Sequence, residues 1–290
     1  MKAEYRQYLE EGERAGMRYC LNIPQDAMKG SSGMHLGRLT GSSIDFKDYR
    51  EYQPGDDLRS IDWSVYGRTD KLIVKMYHEE VNPHLDIILD GSRSMNLPGS
   101  EKVRGALGLT AVFAAAAANT RCSHSAWLSA DGYRHVPNSG EPPAHWDGLE
   151  FDTRISPAEA FGILPPKWRR NGVRVLVSDL LWVGDPLLLL RPLADGAARV
   201  IVVQLLAGVD VDPKIRGNSR LVDVETGDRL EVFIDALAEK RYGDALSRHQ
   251  QNWHHACRQV GASMVTVVAE DIVGNWRLDP LEAAQVLGAA

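Results

Sequence analysis

At 290 residues, with 44% apolar and 25% charged side chains, the chain has the composition of an ordinary globular protein with a sizeable core. Its net charge of −6 speaks against a general nucleic-acid binder, which would carry a basic face. Three widely spaced cysteines, Cys20, Cys122 and Cys257, make neither a disulfide framework nor a thiolate metal spacing, which fits a reducing cytoplasm.

The opening stretch MKAEYRQYLEEGERAGMRYC lacks the apolar core of a secretory signal. No uninterrupted apolar window of about 18 residues offers a membrane span. Residues 1–30 read as a helix followed by a linker, and residues 30–43, GSSGMHLGRLTGSS, as a Gly/Ser-rich loop. Residues 44–80 then interleave Arg50, Arg59 and Arg68 with a cluster of aspartates and with Tyr49, Tyr52 and Trp63. Pro54-Gly55 reads as the centre of a type II turn, with Pro fixing φ and Gly supplying φ > 0. Asp56 or Asp57 can cap a helical turn running through Ile61 and Trp63. Exposed ion pairs are worth only about 0–1 kcal/mol each. Arginines and aromatics this close to so many acids nonetheless point to a specific network of Arg50, Asp56, Asp57, Arg59, Asp62 and Trp63, expected to stiffen the segment against the main domain. Leu72 to Tyr77 reads as a strand. The organisation expected is an extension over 1–80 and a main domain over 81–290.

His84 to Met95, HLDIILDGSRSM, is the centre of the main domain. Leu85, Ile87, Ile88 and Leu89 suit a buried parallel strand, which ends at Asp90. Open α/β sheets place ligands just beyond the carboxyl ends of their strands. There Asp90, Ser92 and Ser94 can converge, and one carboxylate with two hydroxyls suits Mg²⁺ or Mn²⁺. Asp-Gly-Ser is also an ordinary turn sequence. The Asp-x-Ser-x-Ser pattern after an apolar strand resembles the metal-ion-dependent adhesion site (MIDAS) of von Willebrand factor A domains. In that resemblance a later loop supplies a Thr, for which Thr153 is best placed by chain order, although Asp152 and Thr153 could equally cap the next helix. Val173 to Asp179 is a second strong parallel strand ending in a carboxylate, and the resemblance gives Asp179 a role through a bridging water.

Between and after these landmarks the pattern predicts a helix over 101–119, whose small residues Ala114 to Ala118 allow close packing. A strand over 124–130 leads into a hairpin through Tyr133 to Val136. A helix follows over 157–164, and another over 186–193. Val200 to Leu206 is a third apolar strand. Strands over 220–224 and 229–233 flank the turn Glu225-Thr226-Gly227-Asp228. A long amphipathic helix over 234–260 carries His249, Trp253, His254 and His255, with no ligand set to make a zinc site. A strand over 263–269 and a helix over 279–287 close the chain. Strands alternating with helices predict a doubly wound, mostly parallel α/β sheet with helices on both faces, carrying a β-hairpin insertion.

The string Tyr52-x-Pro54-Gly55-Asp56-Asp57-x-Arg59-x-Ile61-Asp62-Trp63, with Asp45-Phe46, Tyr49-Arg50, Arg68, Lys75, Glu79-Glu80 and then Asp90-x-Ser92-x-Ser94-Met95, resembles the bacterial DUF58 family. That resemblance implies a von Willebrand A-like domain over 81–290 and a MoxR-type AAA+ ATPase partner, the pair acting in assembly or maturation of other proteins. No Walker A loop is present, so the ATPase is a separate chain. The function expected is a non-enzymatic module whose metal keeps one position open for an acidic side chain of a partner. The rival is a Mg²⁺-dependent hydrolase of haloacid dehalogenase type with Asp90 as nucleophile. Such an enzyme needs a general acid two residues on, and Ser92 has no pKa for that task. A third reading makes the 44–80 segment the interaction surface, with the metal site vestigial.

Overall fold

The computed structural model describes residues 2–24, 45–78 and 83–290; the Gly/Ser-rich stretch 30–43 lies outside the described residues. The chain divides into two compact units, residues 1–23 with 83–290, and residues 24–82. The division thus falls at two places where the sequence suggested one, because the first helix packs in the larger unit. That helix, α1 (Ala3–Gly16), precedes a short strand, β1 (Tyr19–Leu21).

In the smaller unit, β2 (Asp45–Glu51) pairs antiparallel with β3 (Ile73–His78). Between them come the Pro54-Gly55 turn, a 3₁₀ turn at Leu58–Ser60 and α2 (Trp63–Thr69). The turn closes with the Asp56 N–H on the Gln53 carbonyl at 3.0 Å, with Gly55 at φ +109°, a conformation that glycine adopts without penalty. β2 escaped the sequence reading because DFKDYRE mixes charge and aromatics without apolar alternation.

The larger unit runs β4 (His84–Asp90), α3 (Lys102–Asn119), β5 (Ser123–Ala130), β6 (Gly132–His135), α4 (Pro157–Ile163), β7 (Val173–Ser178), α5 (Leu187–Ala194), β8 (Arg199–Leu206) and α6 (Gly208–Val211). It continues through β9 (Gly217–Val222), β10 (Arg229–Ile234), α7 (Ala236–Gln259), β11 (Ser263–Val268), α8 (Ala269–Ile272), α9 (Asp279–Ala283) and β12 (Leu287–Ala289). Among the described residues the central sheet has six strands in the order β11-β8-β7-β4-β5-β6, parallel except for β6. This is the mixed α/β, mostly parallel, Rossmann-like architecture expected.

Side chains alternate between the two faces, as strand geometry requires. Leu85, Ile87 and Leu89 of β4, with Val175 and Val177 of β7, enter the core that α3 covers. Ile88 and Leu176 enter the opposite core, with Leu189, Leu190 and Leu193 of α5 and Trp253 of α7. α3 is buried along nearly its whole length because α1 packs on its outer side. A Cβ on Gly12 would overlap the Gly108 backbone, so the two helices touch where both lack side chains. The expected closing helix over 279–287 is a correction: α9 ends at Ala283, Gln285 takes φ +53°, and β12 pairs antiparallel with β1, Leu287 opposite Leu21. Among the described residues no helix is long and apolar enough to cross a membrane.

Candidate functional site

The site is built where β4 and β7 end side by side, at the carboxyl edge of the sheet. Gly91 carries the chain off β4 by pressing against its neighbour. Its N–H donates to the Ser129 carbonyl at 2.9 Å, and a Cβ there would stand 2.5 Å from that oxygen. Asp90 is fully buried. Its Oδ1 accepts the Ser92 N–H at 2.9 Å, and its Oδ2 accepts the Ser178 hydroxyl at 2.6 Å. The Ser92 and Ser94 hydroxyls lie 3.1 Å apart. Thr153 is laced to the same loop: its N–H donates to the Gly91 carbonyl at 3.2 Å, and its own carbonyl accepts the Arg93 N–H at 3.1 Å. Ser92 and Thr153 thereby form a parallel bridge. The helix cap that Asp152 or Thr153 could have supplied comes from Ser156, in a reciprocal capping box with Glu159.

The structure therefore gathers Asp90, Ser92, Ser94 and Thr153 around one loop pair. Asp179 stands nearby but is otherwise engaged. Its Oδ2 is 3.1 Å from the Lys102 ammonium, and its Oδ1 accepts the Leu181 N–H at 3.0 Å. Lys102 also reaches Asp210 at 2.7 Å and is only 1% exposed. Burial alone would lower the pKa of this ammonium, but the two carboxylates outweigh it and hold it above its ordinary value. For Asp90, burial and then the charge of Asp179 push the carboxyl up to about 7, against the opposing pull of its hydrogen bonds from Ser178 and Ser92. A carboxylate that resists ionisation in its own fold is one that a cation would relieve.

Two further groups fix the loop after β7. Leu180 takes φ +59° while buried, a costly conformation for a branched side chain. Its carbonyl accepts the His249 Nε2–H at 2.6 Å, so the histidine ties α7 to this loop. Lys102, Ser178 and Asp210 went unrecognised in the sequence: nothing local marks a lysine at a helix start as buried between two acids. Glu225, read as a turn residue, also reaches the site, its Oε1 accepting the Ser94 N–H at 2.9 Å.

The network expected over residues 44–80 is present within the smaller unit in part. Arg50 grips both oxygens of Asp56 at 2.8 and 2.9 Å, and Asp56 also accepts the Gln53 N–H at 2.8 Å. Those partners, the Gln53 N–H foremost, hold its carboxyl below the usual range. Asp57 accepts the Arg59 N–H at 2.9 Å, so Arg59 joins through its backbone. Asp62 caps α2 through the Ser64 and Val65 N–H groups and meets the Tyr49 hydroxyl at 3.3 Å. Trp63 stays 60% exposed, edge-on to Tyr66.

The donors present suit a hard divalent cation: the Asp90 carboxylate and the Ser92 and Ser94 hydroxyls, all oxygen, while the Thr153 hydroxyl donates to Asp131 Oδ1 at 3.3 Å. Among the described residues no three His, Cys, Asp or Glu side chains gather to hold a metal by themselves. A metal here would rest on Asp90 with hydroxyl oxygens.

Fold and site define an α/β domain with a buried carboxylate and a serine-rich loop at the carboxyl edge of a mostly parallel sheet. The chain belongs to the family described as "Protein of unknown function DUF58", which it matches over residues 48–252. It is 28% identical over 254 residues to "Uncharacterized protein Rv1480" of Mycobacterium tuberculosis (strain ATCC 25618 / H37Rv), covering 81% of this chain and 78% of that one. "Uncharacterized protein MAV169" of Mycobacterium avium is 33% identical over 112 residues, 38% of this chain and 64% of that one. Among solved structures, conserved hypothetical protein BatB from Bacteroides thetaiotaomicron is similar at 10% identity and a TM-score of 0.31, over 66% of this chain and 95% of that one.

Proposed function

We propose that the larger unit is a von Willebrand A-like, non-enzymatic interaction module working in the cytoplasm with a MoxR-type AAA+ ATPase in assembly or maturation of other proteins. Asp90, Ser92, Ser94 and Thr153 would hold Mg²⁺ or Mn²⁺. A cation there neutralises Asp90 and offers a coordination position to an acidic side chain of a partner. The observation that carries this reading is the convergence of the Asp90 carboxylate with the Ser92–Ser94 hydroxyl pair, with Thr153 bridged onto Ser92. The raised Asp90 carboxyl supports it from a second direction, since a buried acid beside another acid is stabilised by an added positive charge. Asp179 contributes its charge to that field, its oxygens being shared with Lys102 and the Leu181 N–H.

Immobilised protein should capture a purified MoxR-type AAA+ ATPase in Mg²⁺. Capture should fail in chelator and with Asp90→Ala, while Arg59→Ala leaves it intact. Capture that ignores chelator and Asp90→Ala but is lost with Arg59→Ala would shift the function to the smaller unit.

A further inference from the structure

The β9–β10 hairpin sends one side chain into the site. Its tip is a tightly built turn: Asp223 Oδ1 accepts the Glu225 and Thr226 N–H groups at 2.8 and 2.9 Å, and Gly227 takes φ +81°. Among the described residues the hairpin strands pair only with each other, from Gly217 opposite Ile234 to Val222 opposite Arg229. Most of their side chains are exposed, including Leu230 and Phe233. Glu225, in the turn between them, is half-buried. One of its carboxylate oxygens bonds the Ser94 N–H, and the other, Oε2, is buried with no hydrogen-bond partner among the described residues.

A buried carboxylate oxygen without a partner is costly, more so than a neutral group. It is carried here on an exposed hairpin that could have turned the side chain to water. The cost is removed if a cation shared with Asp90, Ser92 and Ser94 lies against that oxygen. On this basis, which rests on the metal reading above, we infer that Glu225 is a built-in acidic ligand of the Asp90 site. It fills the position that a partner's carboxylate would otherwise take. A two-stranded hairpin with no third strand is weakly held by itself, so Glu225 can withdraw when a stronger external acid competes. The module therefore carries its own competitor.

The test is Mn²⁺ titration of the full chain, followed by calorimetry and by the paramagnetic relaxation of water protons. Glu225→Ala should weaken Mn²⁺ by about tenfold or more, the scale on which supporting groups at metal sites act. It should also raise the number of exchangeable waters on the ion. Millimolar acetate should restore the affinity of Glu225→Ala and leave wild type unaffected, because free carboxylate re-enters the emptied position. Glu231→Ala, which removes an acid from the same hairpin away from its tip, should bind as wild type does. Equal Mn²⁺ affinity and water count in wild type and Glu225→Ala would overturn the inference while leaving the metal site standing. Weakening without acetate rescue would overturn it too, showing that Glu225 only supports the loop. No Mn²⁺ binding by wild type would overturn the metal reading itself, and this inference with it.

Discussion

Lys102→Met should cost the larger unit about 3–5 kcal/mol, the usual consequence of removing one partner from a buried ion pair. The ammonium is 1% exposed and lies between Asp179 at 3.1 Å and Asp210 at 2.7 Å. Methionine follows the lysine stem out to Cε and lacks only the ammonium, so most of the loss is electrostatic: two acids are left with no counter-charge beside an already strained Asp90. For a domain of this size each kcal/mol moves the melting temperature by about 2–4 °C, so thermal unfolding should fall by roughly 6–20 °C. Adding Asp210→Asn to Lys102→Met should recover part of that loss, because the second change removes one of the stranded charges. A Lys102→Met protein melting within about 2 °C of wild type would show that the lysine is not the counter-ion of these acids.

Asp90→Asn should do the opposite, stabilising the metal-free protein at pH 8 by about 1–3 kcal/mol. Burial, with the charge of Asp179, pushes the Asp90 carboxyl up to about 7 in the fold. A carboxyl that titrates higher folded than unfolded takes up a proton on folding. Its stability penalty is therefore absent below the ordinary carboxylate range, grows as pH rises, and is complete above about 7. Each unit of such a shift corresponds to about 1.4 kcal/mol, and the imperfect fit of an amide beside Ser178 offsets part of it. Thermal melts in chelator at pH 5 and pH 8 should show the advantage of Asp90→Asn at pH 8 and little of it at pH 5. A variant less stable than wild type at both values would mean that the ionised carboxylate is a net structural asset, contrary to a site that awaits a cation.

Much of this architecture is legible in the sequence because the central strands are continuous apolar runs. β4 and β7 announce themselves, and the fold brings to one edge the Asp90 that ends the first and the Asp179 that directly follows the second. The hairpin turn at Glu225 to Asp228 is equally plain. What escaped has physical reasons. β1 and β12 are three residues each and meet from opposite ends of the chain, leaving no period to detect. α1 showed only weak periodicity because part of its contact with α3 is made by glycine rather than by large apolar side chains. Lys102 looks like a surface residue until Asp179 and Asp210 arrive from distant loops. Glu225 reads as turn chemistry, and only the fold carries it 131 residues back in sequence to Ser94.

The most direct test of the metal-dependent account is calorimetric titration of Mg²⁺ and of Mn²⁺ into wild type and Asp90→Ala at pH 8. The account predicts saturable one-site binding in wild type, lost in Asp90→Ala and weakened in Ser92→Ala and Thr153→Ala. Binding that persists undiminished in Asp90→Ala, or no binding of either ion to wild type, would contradict it.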